Sequence, residues 1–155
     1  MFYYDVYRSA TTNPTPNTED NLLALRTVAN QRTAAIFGLY VSGRLATPGG
    51  IVIRLKTTAV ISTGGSAVTP QKRDPDAPAA STTAFDLAFT DGTTATVRQI
   101  VGVAAQGGFG GWFAATPEQA IILKPNAGAS GNAELHDISA AASAPFEANL
   151  EFAEL

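Results

Sequence analysis

The chain has 155 residues, 45% of them hydrophobic and only 15% charged, with 14 glycines, 9 prolines and no cysteine. A single domain of this size withdraws roughly 70% of its unfolded surface from water, enough for a core without staples. The missing cysteines exclude disulfides, thiol nucleophiles, thiolate zinc sites and iron–sulfur clusters.

Ten Lys plus Arg against thirteen Asp plus Glu give a net charge of -3, which argues against nucleic acid as a partner, since lysine and arginine supply most of the affinity for phosphates. No apolar run approaches the roughly 18 residues of a membrane span, and residues 1–5 lack the basic and apolar regions of a signal peptide. The expectation is a soluble protein with no membrane partner. Its charged share is low against the roughly 25% of an average domain. Small neutral residues fill the gap, either because compact β proteins favour them or because other subunits cover part of the surface.

In chain order, residues 2–7 are dense in β-favouring aromatics, with Phe2, Tyr3, Tyr4 and Tyr7 close together. Residues 9–21 follow as a run of Thr, Asn and Pro, with Pro14 and Pro16 opposing both helix and central strand. Residues 1–21 therefore read as an extended N-terminal arm, and residues 22–155 as the folded domain. The aromatics suit either a first strand tucked into its own sheet or an anchor on a neighbouring subunit, where tyrosine offers contact area and a polar tip.

Residues 22–27 fit helix or strand by period, and strand is favoured by the firm strand at 32–42 that follows. Pro48, Gly49 and Gly50 must turn. Beyond them Ile51, Ile53 and Leu55 alternate with Arg54 and Lys56, as in a half-buried strand. Residues 64–83 hold Pro70, Pro75 and Pro78 and the charges Lys72, Arg73, Asp74 and Asp76, so they read as a long loop, functional or covered. Strands resume at 85–89, 94–104, 111–114, 120–123, 133–138 and 146–152, separated by turn signals. Seven to nine short strands without helical period predict an all-β, single-domain sandwich or barrel, with a β-sandwich of jelly-roll type the best single architecture.

Chemistry is sparse. The single histidine, His136, sits beside Asp137 in a predicted strand, where neighbours point to opposite faces. It reads as a solvated or hydrogen-bonded strand residue, and nothing resembles a nucleophile elbow. The cluster Gly107, Gly108, Gly110 and Gly111 lacks the Gly-Lys-Ser/Thr ending of a phosphate loop and reads as a bent connection beside Trp112. Phe109 and Trp112 form a candidate aromatic platform for a sugar or a partner. Asp74 and Asp76, flanked by Lys72 and Arg73, read as locally paired charges. No catalytic, cofactor-binding or metal-binding residue is assigned, and no cofactor is expected.

Residues 23–27 and 35–37, then 55–58, 64–74 and 78–80, then Gly111-Trp112, Pro117-Glu118, Ile121 to Leu123 with the turn at 125–131, and the closing 146–152 together resemble small virion proteins of tailed bacteriophages. The resemblance covers most of residues 22–155 and implies a jelly-roll subunit that assembles as a homotrimer on the capsid surface of the virion. There it would act as a non-enzymatic head decoration or cement protein, made in the host cytoplasm and bound to the major capsid protein. A receptor- or carbohydrate-binding module of the tail or baseplate is the alternative. The expected contact residues are Phe2, Tyr3, Tyr4, Tyr7, Lys72, Arg73, Asp74, Phe109 and Trp112.

Overall fold

The computed structural model describes residues 1–11, 20–27, 31–45, 49–60, 62–125, 131–139 and 145–155, and of residues 11, 87 and 88 the backbone. The strands in chain order are β1 (Phe2–Thr11), β2 (Asp20–Arg26), β3 (Ala34–Gly43), β4 (Gly50–Thr58), β5 (Thr63–Val68), β6 (Gln71–Lys72), β7 (Thr83–Thr90), β8 (Ala95–Ala104), β9 (Phe109–Phe113), β10 (Ile121–Leu123), β11 (Asn132–Asp137) and β12 (Pro145–Glu154). One 3-10 turn, Pro117–Gln119, interrupts them.

Two antiparallel sheets result. In sheet A the order is β10-β3-β12-β1-β6, with β9 also paired to β3; in sheet B it is β5-β7-β2-β11-β4-β8. Both contribute to one core: Tyr4, Val6, Leu39, Leu150 and Phe152 from sheet A meet Leu23, Leu25, Ile53, Leu55 and Leu135 from sheet B. The fold is an all-β sandwich, as the short strands and absent helical period predict. The cause is period-2 alternation: in β12, Phe146, Ala148, Leu150 and Phe152 face inward while Glu147, Asn149 and Glu151 face out. A bulge in β3 leaves Phe37 unpaired with β12, so the inward set steps from Ala34 and Ile36 to Leu39 and Val41.

Three expectations change. Residues 2–11 are not an arm outside the domain: β1 pairs with β12 along its whole length, from Phe2 opposite Glu154 to Thr11 opposite Pro145, and Tyr4 and Val6 are buried. The domain therefore does not begin at residue 22, and β2 itself begins at Asp20; residues 12–19 lie outside the described residues. The 64–83 stretch is not one loop, because β5 pairs with β7 and β6 pairs with β1. An edge strand needs only backbone partners, so the Thr, Gly and Ser of β5 left no side-chain period to read. The glycine cluster, finally, holds a strand: β9 includes Gly110 and Gly111 and pairs with Gly38 to Ser42.

Candidate functional site

The outward face of sheet A carries most of the exposed aromatic surface. Alternation along β1 sends Tyr3 and Tyr7 outward, and alternation along β9 does the same for Phe109 and Phe113. These four rings are 45%, 50%, 72% and 62% exposed. Phe37 and Tyr40 of β3 lie between them, with Tyr3 6.1 Å from Phe37 and Tyr40 stacked 6.1 Å from Phe109.

Two glycines make room for the Tyr40 ring. A Cβ on Gly38 would stand 2.9 Å from Tyr40 Cε2, and one on Gly111 would stand 3.0 Å from Tyr40 Cδ1 and 2.6 Å from the Leu39 carbonyl oxygen. A side chain at Gly38 would push the ring aside, and one at Gly111 would also strike the β3 backbone.

A charged group divides this aromatic face. Arg73 donates from Nε and Nη2 to the two carboxylate oxygens of Asp5, each at 3.0 Å, and from Nη2 to Glu151. Arg44 pairs with Glu147 at 2.9 Å. The Asp5 and Glu151 carboxylates hold the Arg73 guanidinium charged, raising its pKa despite partial burial. Two hollows flank the group. One of about 380 Å³ lies between Tyr7, Tyr40 and Phe109, and one of about 220 Å³ lies between Tyr3, Phe37 and Phe113.

The nine expected contact residues divide between the faces. Tyr3, Tyr7, Arg73 and Phe109 meet on the outer face of sheet A. Tyr4 is buried, its ring 5.3 Å from Phe152 and its hydroxyl donating to the Pro78 carbonyl at 3.0 Å. Phe2 packs against the core under the Arg32 guanidinium. Trp112 is the clearest correction: it lies opposite Leu39 and packs against the core, so the platform beside Phe109 is Tyr40 and not Trp112. Lys72 and Asp74 are exposed, and Asp74 accepts from the Asp76 amide at 3.0 Å in a local turn. The charges at 72–76 are not a purely local set, since Arg73 reaches Asp5 and Glu151 on other strands.

A second polar group sits on the outer face of sheet B, where it is buried because residues 91–93 fold across β4 and β11. Ala59 and Val60 donate to the Thr93 carbonyl at 3.2 and 3.3 Å. Beneath them Glu134 accepts from the Gly92 amide at 2.8 Å and the Asn132 carboxamide at 2.7 Å. His136 Nε2 lies 3.3 Å from the other Glu134 oxygen. Lys56 Nζ lies 3.0 Å from Asp91 and 3.9 Å from Glu134. Arg26 extends the row by donating to Ser62 at 2.9 Å and the Gly64 carbonyl at 2.7 Å. Of the two readings of His136, the hydrogen-bonded strand residue holds and the solvated one does not: it is fully buried, with Glu134 beside its Nε2 and the Phe89 ring edge-on at 6.0 Å, while Asp137 bonds Ser139.

Asp91, Glu134 and His136 bring their ligand atoms within 4.8 Å of one another, the closest approach to a metal-ligand set among the described residues. The Lys56 ammonium already supplies the positive charge there, and a divalent ion would have to displace it. The group reads as a structural ion-pair network.

Asp137 is also buried, and desolvation raises its pKa above the ordinary aspartate value, opposed by hydrogen bonds from Ser139. The folded state then binds the proton more tightly than the unfolded state. Stability from this group falls as pH rises from the unfolded pKa through the raised folded one. Asp137→Asn is expected to be at least as stable as the parent at pH 7, with its relative advantage shrinking toward pH 3. Urea unfolding at both pH values measures this; an advantage that grows on acidification would contradict it.

Sequence reasoning missed Tyr40, Phe113, Asp5, Glu147 and Glu151. Alternation along each strand places Phe113, Glu147, Glu151 and Asp5 on a face, but only the pairing of β9, β3, β12 and β1 shows that those faces coincide and that Tyr40 lies among them. Among the described residues no helix is long and apolar enough to cross a membrane. Comparison with protein-family models, with curated proteins and with solved structures finds no match.

Proposed function

We propose that this chain is a non-enzymatic virion structural protein of the decoration or cement type. It is a jelly-roll sandwich that forms a homotrimer and docks on the shell built by a major capsid protein. One observation carries the docking face: Tyr3, Tyr7, Phe109 and Phe113 stand exposed together on sheet A, in a chain with few large side chains to spare. Exposed aromatic rings gathered on one face are costly to leave in water and mark an interaction surface. Three copies on one trimer would add avidity where the shell geometry lets them engage together.

The test is co-sedimentation with empty shells of the source virion, with oligomeric state read by light scattering. The parent chain is expected to be trimeric and to bind at fixed stoichiometry. Phe109→Ser with Phe113→Ser removes two exposed rings without touching the core. If both are central anchors, each substitution weakens docking by about 30-fold while the melting temperature holds. A double variant that binds shells like the parent would remove this face from the docking surface.

The hollow beside Phe109 and Tyr40 supports a second reading, a saccharide-binding module of a tail or baseplate, since ring stacking with polar neighbours also suits sugars. Glycan-array binding lost on Phe109→Ser would favour it.

A further inference from the structure

The hollow between Tyr7, Tyr40 and Phe109 is walled by three aromatic rings and by the polar side chains of Ser42, Glu147, Asn149 and Glu151, of which the two carboxylates only accept hydrogen bonds. The Glu147 carboxylate raises the pKa of the Tyr7 hydroxyl, and burial followed by the Glu151 carboxylate raises that of Tyr40, so both hydroxyls keep their protons. Asn149 Oδ1 is enclosed and accepts from no group among the described residues. Around the hollow the carboxylates of Asp5, Glu147 and Glu151 outnumber the guanidiniums of Arg44 and Arg73 by one.

We infer that this hollow receives a cationic side chain, lysine or arginine, from the protein on which sheet A docks. The chemistry that matches the lining must bring donors and positive charge and must tolerate ring faces. An ammonium or guanidinium meets all three needs, because the negative faces of Tyr7, Tyr40 and Phe109 attract a cation while Glu147 and Glu151 take its N–H groups. A sugar also offers hydroxyl donors but brings no charge to offset the carboxylate excess. An anion is disfavoured on both counts. Phe109 is exposed, so the ring that stacks on Tyr40 is accessible to the incoming chain.

This inference rests on the docking role of sheet A, and the experiment separates the two. An isotope-labelled chain is titrated with the peptide Gly-Ser-Lys-Ser-Gly and with its neutral counterpart carrying Gln in place of Lys. The lysine peptide is expected to shift the amides of Tyr7, Tyr40 and Phe109 saturably, with a Kd on the order of millimolar. Added salt should weaken the binding. Phe109→Ala should weaken it about tenfold, as should Glu147→Gln, which keeps size while removing charge.

Equal shifts with the Gln peptide, saturable binding of maltopentaose in place of the lysine peptide, or no saturable shift at all would overturn the inference. On shells, Glu147→Gln that docks like the parent while the Phe109/Phe113 double variant does not would defeat the cationic pocket and leave the docking face standing. Loss with both supports both. Parent-like docking by both variants defeats both.

Discussion

Glu134→Ala is expected to cost about 3–5 kcal/mol of folding stability, the range for removing one member of a buried ion pair. The carboxylate is fully buried and takes hydrogen bonds from the Gly92 amide and Asn132, with His136 and Lys56 nearby. Alanine strands these donors under the 91–93 turn and leaves Lys56 with less negative charge to face. Glu134→Gln keeps an acceptor and should lose less, about 1–2 kcal/mol. Because Lys56 and Glu134 act as a unit, Lys56→Met combined with Glu134→Leu should cost less than the sum of the single changes. Equilibrium urea unfolding measures all of these. A loss below about 1 kcal/mol for Glu134→Ala would show that the network does not hold the turn down.

Tyr4→Ala should be comparably damaging, at about 3–5 kcal/mol, with most of the loss from the ring. The side chain is fully buried against Phe152, and its hydroxyl ties down the Pro78 carbonyl 74 residues away. Tyr4→Phe isolates the hydroxyl and should cost about 1 kcal/mol. The pair of variants distinguishes a strand from an arm: an arm would lose partner binding and keep its stability. Deleting residues 1–11 would expose the long edge of β12 and is expected to yield insoluble protein rather than a trimming of one contact. A soluble, cooperatively melting deletion chain would contradict this.

Alternation made much of the fold legible. Ile51, Ile53 and Leu55 mark a half-buried strand in the sequence and are fully buried in β4. The segments that escaped were those whose stability comes from the partner. The aromatics of β1 suit a strand of their own sheet as one of two readings, but Arg8, Ser9 and Thr11 beyond them read as polar arm, and it is the ten paired residues of β12 that hold the whole strand. Lys56, Glu134 and His136 alternate as an outward-facing polar set would. They are buried because a distant turn folds over them.

The candidate site divides in the same way. Phe109, Tyr3 and Tyr7 can be singled out as aromatics in a chain with few of them, and Arg73 as a charge in a Pro-rich stretch. Trp112 was misassigned because composition shows a large ring and not the direction in which it points. One residue of register sends it to the core and Phe113 to the surface.

A cysteine-free, all-β domain whose strands have one apolar face is legible in the chain, because a period of two is written locally. Which outward faces meet and which are covered depends on pairing between distant strands. β9, β3, β12 and β1 come from both ends and the middle of the chain. Their pairing gathers six aromatic rings and the Asp5, Arg73 and Glu151 group onto one surface that no stretch of sequence contains.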